Sequence, residues 1–148
     1  MAVQNESDEE NIKQTNDVQI IDWYLQSLVD MANRHNIEMG ITLVLGGSTV
    51  SGTLVSGKRY FEEFSKEFSN AWPDNESKEL IREHFANYAK IYDSPENDKD
   101  ERPPLPQYIH LKNSKIHSPS GSLPANMGVL WRGRISAVSG FSLGSLNS

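Results

Sequence analysis

Apolar residues recur along this chain first at helical spacing, then at strand spacing, then at helical spacing again, and finally at strand spacing towards its end. Ile21, Leu25, Leu28, Val29 and Ala32 lie three or four apart, which predicts an amphipathic helix over residues 19–35 with Asp17 as its N-cap. Ile41, Leu43 and Leu45 alternate with Thr42 and Val44, Gly46-Gly-Ser48 turns, and Val50, Gly52 and Leu54 continue one face, so residues 41–55 read as a β-hairpin. Tyr60, Phe61, Phe64, Phe68 and Ala71 return to helical spacing over 58–72, and Pro73-Asp-Asn-Glu-Ser77 interrupts it. Leu80, Ile81, His84, Phe85, Tyr88 and Ile91 predict a third helix over 78–92. Beyond it, alternation predicts strands over 108–116, 129–138 and 141–144. In the middle one, Val129, Trp131, Gly133, Ile135 and Ala137 share a face, while Leu130, Arg132, Arg134, Ser136 and Val138 share the other, which makes Trp131 a core residue.

This order predicts one α+β domain over residues 18–148: an N-terminal helix, a β-hairpin, a helical insert, then three short strands in one antiparallel sheet or a small Sm-like barrel. Gly47-Ser-Thr-Val-Ser-Gly52 resembles the glycine, apolar residue and second glycine of the Sm pattern, and Leu130-Trp-Arg-Gly133 resembles the apolar-Arg-Gly of its fourth strand. Glycines suit a small barrel because its strands bend sharply where backbones approach. The Asp and Asn with which Sm proteins read RNA bases are missing from Ser56-Gly-Lys-Arg-Tyr60, so this likeness concerns fold more than RNA binding. Residues 1–17, with Glu6, Asp8, Glu9, Glu10 and Asp17 against Lys13, have too little apolar surface to offset their ordering entropy and are expected to be disordered. Residues 93–106 read as a charged, proline-rich linker.

Charge changes the picture more than composition does. Residues 107–148 contain no Asp or Glu but hold Lys112, Lys115, Arg132 and Arg134; with a net charge of −6 overall, residues 1–106 carry −10. Such segregation suits a molecule that associates through oppositely charged faces. The acidic total argues against generic nucleic-acid binding, which needs a basic field. With 0 cysteines there is no disulfide framework or thiolate zinc site, which fits a reducing cytoplasm. The acidic start is unlike a secretory signal, and the longest apolar run, near Ile41 to Leu45, is too short to cross a membrane.

Catalytic motifs fail on context. Gly140-Phe-Ser-Leu-Gly144 has the G-x-S-x-G spacing of a nucleophile elbow, but no acid or histidine follows it to complete a triad. Gly46-Gly-Ser48 lacks the spacing and lysine of a phosphate-binding loop. His35, His84, His110 and His117 show no metal-ligand spacing, with His84 expected beside a helix core and His110 facing outward from a strand. The expectation is therefore no catalytic residues, no metal and no cofactor. Lys112, Lys115, Arg132 and Arg134 are the candidate partner-binding residues, with the solvated face of a sheet as the simpler account of them. Replacing Arg132 and Arg134 by Ser is expected to leave folding nearly intact.

Three longer blocks carry a family resemblance. Ser51-Gly-Thr-Leu-Val-Ser-Gly-Lys-Arg-Tyr-Phe61, Tyr108-Ile-His-Leu-Lys-Asn-Ser-Lys-Ile116 and Trp131-Arg-Gly-Arg-Ile-Ser-Ala-Val-Ser-Gly-Phe-Ser-Leu-Gly144 resemble, in order, the signature blocks of the gas vesicle accessory protein GvpU family. The resemblance implies a non-enzymatic, cytoplasmic protein that gathers gas vesicles into clusters by self-association and contact with the shell or other gas vesicle proteins. It offers no catalytic residues to carry over. Two other classes stay open: an Sm-like ligand- or RNA-binding module, and an assembly chaperone that holds shell subunits through the aromatic helix 58–72.

Overall fold

The computed structural model describes residues 20–93, 104–124 and 126–146. Helix α1 (Trp23–His35) comes first. Its N-cap is Asp22, whose carboxylate accepts from the N–H of Tyr24 at 2.9 Å and of Leu25 at 3.2 Å. Asp17, expected in that role, lies outside the described residues, as does the expected disorder of 1–17. Strands β1 (Met39–Leu45) and β2 (Ser48–Val55) form the hairpin around Gly46 and Gly47. Helices α2 (Gly57–Asn70) and α3 (Asn75–Ala86) follow, the second tightening into a 3-10 turn at Asn87–Tyr92. The insert thus holds the two expected helices, the later one starting a few residues sooner than its apolar stripe. Of the expected 93–106 linker, residues 94–103 lie outside the described set. The residues just before β3 are tied down, since Gln26 Nε2 donates to the Pro106 carbonyl at 2.9 Å.

Strands β3 (Tyr108–Ser118), β5 (Val129–Arg134) and β6 (Gly140–Leu143) are the three expected ones, and a short β4 (Gly121–Leu123) was not foreseen. All six form one antiparallel sheet in the order β4–β3–β2–β1–β6, with β5 also on β3. The order of elements, helix, hairpin, helical insert and then the later strands, is the expected one. No ladder joins β5 to β6 among the described residues, so the sheet is open rather than hydrogen-bonded into a closed barrel.

Strand β3 can carry two neighbours on one edge because it bends. Its pairing with β2 shifts register between Ser51 and Thr53, its pairing with β5 shifts between Leu111 and Ser114, and Asn113 has φ 50°. Gly52 sits at the bend because a Cβ there would meet the Lys112 carbonyl oxygen at 2.9 Å and Ser114 Cα at 3.0 Å.

The expected strand 129–138 needs correction: it ends at Arg134. Ile135 N–H donates to the Gln107 carbonyl at 2.9 Å and Val138 N–H to the Ile135 carbonyl at 3.0 Å, closing a 3-10 turn over Ile135–Ala137. The turn's three-residue period sends both Ile135 and Val138 into the core and leaves Ala137 exposed, whereas alternation had set Ile135 and Val138 on opposite faces.

The core lies between α1 and one face of the sheet. Leu25, Val29 and Ala32 of α1 meet Ile41, Leu43, Val50, Leu54, Ile109, Leu111 and Ile135, all buried, with Trp131 partly buried against them. Trp131 thus borders the core instead of filling it. Its indole covers Gly133, where any Cβ would run into the ring, which accounts for the glycine in Trp131-Arg-Gly133.

Candidate partner-binding face

Strand register decides which side chains share a surface. Val55, Thr53 and Ser51 of β2 oppose His110, Lys112 and Lys115 of β3. His110 and Tyr108 in turn oppose Arg132 and Arg134 of β5. Directly opposed residues point to the same side of a sheet, so Lys112, Lys115, Arg132 and Arg134 all belong to the outer face, away from α1. Helix α2 packs over part of that face through Tyr60, whose ring centroid lies 4.7 Å from that of His110.

The four cations sit in different electrostatic states. Arg132 is built into the structure. Its guanidinium carbon stands 3.7 Å from the ring centroid of Tyr108 and 5.9 Å from that of Phe61. Its Nε–H donates to His110 Nε2 at 3.1 Å. Because Nε2 accepts, the neutral imidazole carries its proton on Nδ1, which is buried without a hydrogen-bond partner among the described residues. His110 is only 1 % exposed. Burial first, and the Arg132 charge second, push its pKa down from 6.5 to about 3. The expectation that His110 faces outward holds for the direction and fails for the exposure, since α2 covers it. Burial likewise raises the Tyr60 and Tyr92 phenols above their ordinary value, while Arg132 pulls both the other way.

Lys112 is engaged differently. Its ammonium lies 2.6 Å from Glu38 Oε2, while Glu38 Oε1 pairs with Arg59 at 3.2 Å and Arg59 with Glu63 at 3.5 Å. Lys115 lines a shallow cleft of about 310 Å³ with Ser51, Gly52, Thr53 and Asn113. Arg134 is exposed and makes no ion pair among the described residues. The fold thus gathers all four sequence-predicted residues on one face, but Arg132 and Lys112 spend much of their charge internally. The aromatic surround of Arg132 escaped sequence reading, although Tyr108 and His110 share the parity of Lys112 and could have flagged it.

A larger cleft, of about 450 Å³, runs between the end of α1 and the start of α2, lined by Asn33, Arg34, Lys58, Arg59, Tyr92 and Asp93 among others. Its cations are matched locally, Arg34 to Asp30 at 3.2 Å and Lys58 to Asp93 at 3.0 Å, so it offers no net field for an anion. No group of three or more His, Asp or Glu side chains among the described residues could hold a metal ion. No helix among them is long and apolar enough to cross a membrane.

The outer-face strands and α2 are also where the three signature blocks lie, and the likeness extends well beyond them. The model of the family described as gas vesicle protein GvpU-like matches residues 22–146, from the cap of α1 to just past β6. The chain belongs to the GvpU-like family. Membership makes it a gas vesicle-associated protein. No curated protein and no solved structure matches it. All four outer-face cations of this GvpU-like chain fall inside the matched region.

Proposed function

We propose that this GvpU-like chain organises gas vesicles without turning over a substrate. It draws shells together in the cytoplasm by binding an acidic partner surface through its outer strand face and by associating with further copies of itself. The observation that carries the reading is the convergence of Lys112, Lys115, Arg132 and Arg134 on one sheet face, in a region with no Asp or Glu between residues 107 and 148. Contacts of this kind are weak singly and screened by salt over a Debye length of about 8 Å. A shell that displays many identical sites multiplies them through effective concentration.

The test is co-sedimentation of purified protein with purified gas vesicles across a salt series, with Arg134→Ser as the probe variant. The parent should bind and cluster vesicles less as salt rises, and Arg134→Ser should bind less at every salt concentration while melting like the parent. Equal binding by both proteins, unresponsive to salt, overturns the electrostatic contact. A second reading has its own support. The helical insert leaves Leu80 70 %, Ile91 71 %, Tyr88 46 % and Trp72 44 % exposed, an apolar surface suited to holding a shell subunit during assembly. Deleting the gene separates the two: intact but dispersed vesicles support clustering, and absent or misshapen ones support assembly.

A further inference from the structure

Among the described residues, strand β6 is the outermost strand on its side of the sheet; it pairs with β1 alone, and no strand covers its far edge. Gly144 N–H donates to the Gly40 carbonyl at 2.8 Å, and the register continues through Thr42↔Ser142 and Val44↔Gly140. Antiparallel pairs alternate between bonded and non-bonded, so Gly140, Ser142 and Gly144 turn their backbone groups towards β1. The N–H and C=O of Phe141 and Leu143 therefore point to the open side.

Sheet edges are ordinarily blunted by lysine, proline or a bulge. Gly140-Phe-Ser-Leu143 has none of these, and its register with β1 is unbroken. The side chains along it divide cleanly. On the inner face, Phe141 packs against Tyr24 at 6.1 Å between ring centroids, beside Leu143 and Trp23, which are 69 % and 75 % exposed. On the outer face stand only Gly140, Ser142 and Gly144, with neither bulk nor charge.

We infer that this edge pairs with the same edge of a second copy of the chain, β6 antiparallel to β6 across a two-fold axis at Ser142. The edge is complementary to itself. A two-fold at Ser142 sets Phe141 opposite Leu143 of the partner subunit, and these are the residues whose backbone groups point outward, so each pair exchanges both of its hydrogen bonds. The same register lays each exposed Leu143 against the other copy's Phe141 and Tyr24, and brings the two Ser142 side chains together where nothing obstructs them. A foreign strand would have to supply this parity and this alternation of small and apolar residues by chance; a second copy supplies both by symmetry.

The pairing deepens the self-association in the proposed function and rests on it only for its biological purpose. It also has the opposite response to salt. Each copy carries a net charge of −6, so two like-charged copies repel, and added salt should strengthen pairing while it weakens vesicle contact.

The experiment uses the full chain alone, without vesicles. The parent should sediment as a dimer, more tightly as salt rises, and Leu143→Lys should sediment as a monomer with an unchanged circular dichroism melt. The chain has 0 cysteines, so Ser142→Cys introduces a single thiol. A non-bonded antiparallel pair has Cα atoms about 4.5 Å apart, within disulfide range. Ser142→Cys should therefore form a covalent dimer under mild oxidation, far faster than Ser120→Cys in the exposed β3–β4 turn. A monomeric parent overturns the inference, as does a Ser142→Cys chain that cross-links no faster than Ser120→Cys. Open-ended oligomers without the Ser142→Cys cross-link also overturn it, pointing to β6 against β5. Because vesicles are absent, none of these failures touches the proposed shell contact.

Discussion

Replacing Arg132 by Ala should destabilise the protein by about 2–3 kcal/mol, while the same change at Arg134, two residues along the same strand face, should cost under about 0.5 kcal/mol. The difference follows from surroundings. Arg132 loses its stack on Tyr108 at 3.7 Å, a contribution of about 1 kcal/mol at a half-solvated site. It also loses its hydrogen bond to His110 Nε2, about 1 kcal/mol, and leaves that nitrogen without its donor on a residue 1 % exposed. The orphaned acceptor adds about 1 kcal/mol, the low end of the usual range, because truncating the arginine opens a path for water. Arg134 makes no ion pair among the described residues and gives up little. For a chain of this size the Arg132 change should lower Tm by roughly 6–12 °C. Arg132→Lys should recover only part of the loss, because an ammonium keeps the charge over Tyr108 but not the planar fork that reaches His110. Urea denaturation followed by tryptophan fluorescence reads all three variants, and a double-mutant cycle with His110→Phe isolates the pair, with an expected coupling of about 1–2 kcal/mol. Equal melting of the two alanine variants, or a coupling near zero, would refute the claim that Arg132 is a structural cation. On this geometry the double replacement should cost more than the expectation of nearly intact folding allows, which makes Arg134 the variant of choice for vesicle assays.

Three further predictions follow from the same geometry. His110 is held neutral with a pKa of about 3 against 6.5, so the unfolded chain takes up its proton first; stability should fall by about 1.4 kcal/mol per pH unit on acidification below about 6.5, and His110→Phe should flatten that slope in denaturant titrations. Gly133→Ala should cost about 1–3 kcal/mol because its methyl meets the Trp131 indole, whereas Gly140→Ala, with nothing within 4 Å of the new Cβ, should be near neutral in the same thermal melts. Glu38→Gln releases Lys112 and Arg59 from their shared carboxylate; it should lower stability by under about 1 kcal/mol and increase vesicle co-sedimentation, the reverse of Arg134→Ser.

Most of the fold was legible because its core is periodic. Leu25, Val29 and Ala32 recur at helical spacing and Ile41, Leu43, Val50 and Leu54 at strand spacing, and all are buried as those periods require. Periodicity misled where an element has no core to face. The expected stripe groups Leu80 and Ile91 with Phe85, yet α3 buries no residue and rests on α2 through the contact of Phe85 with Phe64 and Phe68, at 5.7 and 5.0 Å. The stripe was real, but part of it faces solvent. It also misled at Ile135–Ala137, where residues that alternate in sequence are wound into a three-residue turn by a bond to Gln107, which no local pattern announces.

The candidate face was legible in composition but not in charge state, and the reason is sequence distance. Lys112 meets Glu38 across 74 residues, so the acid-free stretch from 107 onward takes its counter-charge from a residue far away in sequence. Arg132 likewise reaches the ring of Phe61 on α2, far from it in sequence. The net figure for the stretch therefore overstates the field it projects, and one copy should grip a shell weakly. Pairing through β6 changes that balance. The two-fold axis of an antiparallel ladder stands perpendicular to the sheet, so the outer faces of both copies look to the same side. A dimer then meets one shell with two modest cationic faces held at a fixed separation, and the second contact forms at the effective concentration set by the first. Weak individual contact and firm attachment are compatible on that geometry, and Leu143→Lys, which leaves every outer-face cation in place, should loosen vesicle binding for that reason alone.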